Sequence, residues 1–220
     1  MRDRRLRWLP VGILTGALWM VSTNPGASTF NVVVDTSALS GAPATLLFDF
    51  ADGGPPDNTV ILSPITSDGV PSTPPSSDDP SGSVSGAGGS GPWTFSDASG
   101  SSFDYALFVY FSQAGTFLSF SFTTSDNPPD SSQGSSPDSF SFFIFDSTPA
   151  VTSDVGGALF QFSIGSGVDG LQVFTPIVDL APDQTFSITV TPVQAAPEPG
   201  TLALLAAGFV ALSRRRRFKS

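Results

Sequence analysis

The stretch Leu118-Ser119-Phe120-Ser121-Phe122-Thr123 decides the fold class. Apolar and hydroxyl side chains alternate along it, so an extended backbone places every apolar side chain on one face. The same alternation recurs in residues 140–144, 160–164 and 186–190. Each segment is a predicted strand with a single apolar face, and such strands must bury that face against a second sheet.

The composition around these segments also disfavours helices. Between Thr29 and Val190 there is no Glu, Lys or Arg, while Ser, Thr, Gly, Pro and Asp are abundant. These residues break helices or compete with helical hydrogen bonding. We therefore predict an all-β fold, an antiparallel β-sandwich or a jelly-roll-like barrel. Its other predicted strands are Phe30–Val34, Ala44–Phe50, Thr59–Leu62, Trp93–Phe95, Tyr105–Phe111 and Leu171–Phe174.

The predicted acidic domain spans residues 29–194. One long part of it, residues 71–92, is rich in Pro, Gly, Ser and Asp and has Val84 as its one large aliphatic residue. A segment with so few apolar side chains cannot bury enough surface to order itself, so we predict a disordered loop there.

The charge distribution excludes several classes of function. All 9 Lys and Arg residues lie within residues 2–7 and 214–219, so the chain between Trp8 and Ser213 carries no cation. That interval holds 18 acids, the 19 of the whole chain minus Asp3. Such a body repels nucleic acid. The absence of His and Cys also excludes imidazole bases, Cys nucleophiles, disulfides and the usual zinc sites.

The N-terminus has the pattern of a secretory signal peptide, predicted to span residues 1–28. Four arginines within residues 2–7 precede the apolar run 8–21, and small residues follow it. Signal peptidase would cut after Ala27 or after Ser28. The alternative is an uncleaved, membrane-anchored N-terminus.

The C-terminal segment, residues 195–220, combines three features. Pro197-Glu198-Pro199 precedes the apolar run 201–212, which ends before the cluster Arg214, Arg215, Arg216 and Arg217. The run would rise about 18 Å as a helix, so it predicts a single short transmembrane helix. The arginines would stop transfer and remain in the cytoplasm. A generic tail anchor is the alternative.

This arrangement resembles the PEP-CTERM sorting signal of Gram-negative bacteria that produce exopolysaccharide. The resemblance implies that an exosortase recognises Pro197, Glu198 and Pro199 and removes the helix. The protein would be exported through the inner membrane and then released or attached at the cell surface. The body is also similar, in residues 30–41 and 47–50, to a group of PEP-CTERM proteins without assigned activity. The expected role is therefore structural or interactive, in biofilm or exopolysaccharide.

Other chemistry is limited to aspartates and a few aromatic residues. We predict no enzymatic activity and no cofactor, apart from a possible calcium ion near the densest oxygen clusters, which contain Asp52, Asp57, Asp126 and Asp130. The leading alternative is a carbohydrate-binding module that stacks sugars on Trp93, Tyr105 and Tyr110. The distant alternative is a glycoside hydrolase that uses paired carboxylates.

Overall fold

The computed structural model describes residues 27–72, 77–79, 84–97, 104–130, 132, 134–145, 147, 150–153, 157–178 and 185–193. These residues form an all-β, antiparallel structure, as predicted. Over the same residues, helical structure is limited to short 3-10 turns, which include Ser37–Leu39 and Gly167–Gly170.

Sheet I has six strands, with β15, β1, β9, β3 and β7 in spatial order and β4 beside β9. Its longest pairing joins β1 and β9 in antiparallel register, with Phe30 opposite Phe122. The strands are β1 (Ser28–Asp35), β3 (Thr59–Leu62), β4 (Thr66–Ser67), β7 (Trp93–Ser96), β9 (Phe117–Thr124) and β15 (Ser187–Pro192).

Sheet II has seven strands, with β13, β12, β10, β2, β8 and β5 in spatial order and β6 beside β8. A separate ribbon pairs β11 (Val151–Ser153) with β14 (Pro176–Val178). The strands of sheet II are β2 (Ala44–Ala51), β5 (Val70–Pro71), β6 (Ser77–Asp78), β8 (Asp104–Gln113), β10 (Ser139–Phe145), β12 (Phe160–Ser163) and β13 (Leu171–Val173).

The inner faces of the two sheets meet in an aromatic core. Phe122 of sheet I stacks on Phe160 of sheet II, with ring centroids 5.3 Å apart. Phe48 of sheet II meets the edge of Phe120 of sheet I at 5.1 Å. Both contacts cross the interface between the sheets, so the alternating Phe/Ser pattern produces a sandwich whose interior excludes water.

All the predicted strand segments form strands, and the structure adds five shorter ones that carry little or no apolar pattern. Part of the predicted loop 71–92 also pairs with sheet II: Ser77–Asp78 lies beside Phe108 and Val109. The predicted signal peptide and the predicted C-terminal helix lie outside the described residues, apart from Ala27 and Ser28. In the described part of the chain, no helix has the length and hydrophobicity needed to span a bilayer.

Candidate functional site

Three aspartates from three different loops converge at one end of the sandwich. Asp52 follows β2, Asp97 follows β7 and Asp138 precedes β10. One carboxylate oxygen from each lies within 4.8 Å of the others. We call Asp52, Asp97 and Asp138 the carboxylate cluster; it spans the gap between the sheets because β7 belongs to sheet I and β2 and β10 belong to sheet II.

Two members of the cluster are almost fully buried. Asp97 is 4% exposed and Asp138 is 2% exposed, whereas Asp52 is partly exposed. The residues that the structure describes include no Lys, Arg or His, so none of them pairs with these carboxylates. Buried carboxylates without a counter-charge are costly, so their remaining interactions decide whether the folded state tolerates them.

Asn58 is the centre of the hydrogen-bond network that surrounds the cluster. Its backbone N–H donates to Asp97 Oδ1 at 2.7 Å, and its Nδ2 donates to Asp138 Oδ2 at 2.7 Å. Its Oδ1 accepts from Ser125 Oγ and from the backbone N–H of Asn127. Asn58 thereby links the turn before β3 to both buried carboxylates and to the segment after β9.

Gly53 brings the turn after β2 close to the segment before β10. Its N–H donates to Asp138 Oδ1 at 2.7 Å. A Cβ at this position would collide with the carbonyl oxygens of Ser136 and Pro137. A glycine is therefore needed for the close approach that gives Asp138 its second donor.

The electrostatics of the cluster follow from burial and mutual repulsion. Burial raises the pKa of Asp97 to about 7, together with the nearby charges of Asp138 and Asp52 and a hydrogen bond with the Asp138 carboxyl, despite the hydrogen bond from Asn58. Burial also raises the pKa of Asp138, against the opposing effect of hydrogen bonds from Gly53, Asn58 and Asp97. When Asp97 and Asp138 are both ionised, the buried Oδ2 of Asp97 receives no hydrogen bond from the described residues. The ionised form of the cluster is therefore unfavourable, because its charge is buried and one of its oxygens lacks a donor.

Of the predicted calcium ligands, Asp52 belongs to this cluster and the other three do not. Asp126 accepts hydrogen bonds from Ser28 and Gly165. Asp130 accepts two bonds from Ser132, which closes a local turn, and Asp57 is exposed.

A second feature is an aromatic surface on the outer side of sheet II. Phe108 and Tyr110 on β8 are stacked with centroids 6.5 Å apart, and Phe143 and Phe145 on β10 are stacked at 5.7 Å. Leu47 of β2 lies between Phe108 and Phe143 in the register. We call Phe108, Tyr110, Phe143 and Phe145 the aromatic face.

The aromatic face is accessible in part. Phe145 is 42% exposed and the other three rings are partly exposed. An open depression of about 400 Å³ lies over Phe108, Tyr110 and Phe145. Of the aromatic residues predicted to stack sugars, only Tyr110 lies on this surface, because Trp93 and Tyr105 are buried in the core.

The comparisons with known proteins bear on the C-terminus. Residues 195–217 match the PEP-CTERM protein-sorting motif. The chain carries a PEP-CTERM sorting motif. This motif implies processing by an exosortase and export to the cell surface or beyond. No curated protein and no solved structure matches the chain.

The PEP-CTERM match includes the predicted recognition triplet Pro197, Glu198 and Pro199 and the cluster Arg214–Arg217. These residues lie outside the described residues, so their roles remain predictions.

Sequence reasoning grouped Asn58 with Asp52 and Asp57 as a possible calcium cluster, but it missed Asp97 and Asp138. These two residues lie close to the ends of predicted strands, which was the one available signal. That signal shows that a residue lies at a strand end, but only the order of strands within the two sheets shows which strand ends meet.

Proposed function

We propose that this exosortase-sorted protein acts without catalysis in the extracellular matrix, where its aromatic face binds neutral polysaccharide. The observation that carries the proposal is the stacked aromatic face on the outer side of β8 and β10, where Phe145 is exposed and the other three rings are partly exposed. Exposed aromatic rings offer apolar surfaces on which the C–H faces of sugars can stack.

The negative charge of the domain favours binding of a neutral polymer rather than an acidic one. The domain carries aspartates and no cation, so an anionic polysaccharide would be repelled over the whole surface. Stacking on Phe and Tyr rings requires no charge on the ligand. The export implied by the sorting motif would bring the protein into contact with secreted polymers.

The burial of Asp97 and Asp138 favours a function without catalysis. Asp97 and Asp138 are close together and have raised pKa values, as a general acid would, but they are 4% and 2% exposed. A glycosidic bond needs access to both carboxyl groups. Polysaccharide hydrolysis that disappears in Asp97→Asn would contradict the proposal and identify an enzyme.

The binding test uses protein recovered from the culture medium and pelleted with an insoluble neutral glucan. We expect the double variant Phe143→Ser/Phe145→Ser to bind at least tenfold more weakly than wild type. The matched control is Ile61→Ser on the outer side of sheet I, where Ile61 is 49% exposed; it should bind as wild type. No binding by wild type, or equal binding by the double variant, would remove polysaccharide recognition from the proposal.

The sorting step has its own test. Pro197 and Pro199 disfavour regular helix and sheet, so the triplet is expected to be an extended tether that a membrane protease can reach. In a host with an exosortase, Glu198→Ala should remain membrane-bound and uncleaved. Intact mass of the wild-type extracellular protein should show that residues beyond about Pro199 are missing. Recovery of that protein with Arg214–Ser220 attached would contradict exosortase cleavage.

A further inference from the structure

The carboxylate cluster lacks a compensating positive charge among the described residues. Three carboxylates approach one another in the carboxylate cluster, and the sequence supplies no cation between Trp8 and Ser213. The neighbouring N–H groups donate to Asp97 Oδ1 and to both oxygens of Asp138. These bonds reduce the cost of burial without neutralising the charge.

The unpartnered atom is a separate observation that points to a ligand. Asp97 is 4% exposed, yet its Oδ2 receives no hydrogen bond from the described residues when Asp97 and Asp138 are both ionised. Buried polar atoms are nearly always satisfied by protein, water or an ion. One carboxylate oxygen of Asp97 lies within 4.8 Å of oxygens of Asp52 and Asp138, so a cation bound among the three groups would neutralise their charges together.

We propose that Asp52, Asp97 and Asp138 bind one Ca²⁺ ion that ties the two sheets together. The donor set consists of carboxylate oxygens, which hard divalent cations prefer. Ca²⁺–O distances of about 2.3–2.6 Å allow two ligands of one ion to lie up to about 5 Å apart. The oxygens of the cluster lie within 4.8 Å of one another, so they fit this range.

The setting of the cluster favours calcium over magnesium. Mg²⁺ demands a regular octahedron and usually keeps several of its water ligands, whereas Ca²⁺ accepts irregular sets of oxygen ligands. Two of the three carboxylates are almost fully buried and all three come from different loops, which suits the more adaptable ion. Asn58 and Gly53 act as positioning residues, because their hydrogen bonds hold Asp97 and Asp138 at the cluster. The partly exposed Asp52 gives the ion a route from solvent.

The direct test is calcium titration of the exported protein by calorimetry at pH 7.5, after removal of metal with EGTA. We expect one Ca²⁺ per chain and weaker Mg²⁺ binding. Asp97→Asn and Asp52→Asn should each weaken Ca²⁺ binding at least tenfold. The matched control is Asp57→Asn, which removes one exposed charge next to the cluster and should leave the affinity within twofold of wild type.

Thermal unfolding provides a second readout that separates ion binding from misfolding. At constant ionic strength, CaCl₂ should raise the melting temperature of wild type more than NaCl does, and Asp97→Asn should lose that increment. In EGTA this variant should melt no lower than wild type, because Asn retains an acceptor for the N–H of Asn58 and removes the repulsion. If Asp97→Asn fails to fold, the calcium affinity and the calcium-dependent rise in melting temperature of Asp52→Asn provide the test instead.

Three results would overturn the proposal. One is the absence of both calcium heat and a calcium-specific rise in melting temperature. Another is wild-type affinity in Asp97→Asn and Asp52→Asn, which would mean that calcium binds elsewhere. The third is loss of binding in Asp57→Asn, which would move the site to the exposed turn. The test is independent of polysaccharide binding, since neither the cluster nor its variants involve the aromatic face.

Discussion

The pKa values of aspartates are shifted in opposite directions at the two ends of the sandwich. At the cluster end, Asp97 and Asp138 are buried between the sheets and their pKa values are raised. At the other end, Asp35 ends β1 and Asp68 lies in the bend after β4, and hydrogen bonds to the charged form lower the pKa values of both. The residue type is the same, so the difference comes from burial and from the number of donors that reach each carboxylate.

The turn at the other end shows how a carboxylate is satisfied without a cation. Asp68 accepts from the backbone N–H of Thr116 at 2.8 Å, from Thr116 Oγ1 at 2.7 Å and from the N–H of Phe117. Gly115 allows this approach, because a Cβ there would collide with Asp68 Oδ1. Asp68 thus stabilises a turn between neighbouring strands, whereas the cluster concentrates charge that the fold leaves unbalanced.

The largest effect should follow from Asn58→Ala at the cluster end. Asn58 is 3% exposed, and loss of its side chain would remove the donor to Asp138 Oδ2 and the acceptor of both the Ser125 hydroxyl and the Asn127 N–H. We expect the free energy of unfolding, measured with urea, to fall by about 3 kcal/mol. The matched change at the other end is Thr116→Ala, which removes one exposed hydrogen bond and should cost much less. Equal losses at the two ends would contradict the comparison.

The second effect concerns pH in metal-free buffer. The pKa of Asp97 is about 7 in the folded state, against 3.8 as its ordinary value. Between these values the folded protein holds a proton that the unfolded chain has released, so stability falls as pH rises from about 4 to about 7 and levels off above that. The groups that face Asp97 are Asp138 and Asp52, and the raised pKa of Asp138 acts in the same direction.

From pH 5 to pH 8 in EGTA we expect a loss of about 1.5 kcal/mol. The part of the pKa difference that lies above pH 5 would give nearly twice that loss, but water screens part of the repulsion. Asp97→Asn should flatten this dependence, and Asp57→Asn should not. A rise in stability over that interval would show that the cluster is not a source of strain.

The sequence revealed much of the fold and little of the cluster, for a physical reason. Alternation in 118–123 fixes which side chains face the core, because the period of a strand is two residues. The run 105–111 is apolar on both sides, so it could not show that Tyr105 faces inward while Tyr110 faces outward. Asp97 and Asp138 are 41 residues apart by their numbers, and they meet only because β7 and β10 lie on opposing sheets. The sorting motif is contiguous in the chain and could therefore be read directly.

The smallest effect should appear in acid, at the end that contains Asp35 and Asp68. Their lowered pKa values mean that the charged form is favoured in the folded state, so this contribution is present above about pH 4 and is lost as pH falls through the folded pKa. Asp68 is exposed and Asp35 is partly exposed, so solvent screening limits the contribution. Asp68→Asn should be slightly less stable than wild type at pH 7 and equal to it near pH 2, because wild-type Asp68 is then protonated too. Urea unfolding at the two pH values measures this difference. If the variant lost more stability at pH 2 than at pH 7, the hydrogen bonds from Thr116 and Phe117 would not depend on the charge of Asp68, and the two ends would differ in burial alone.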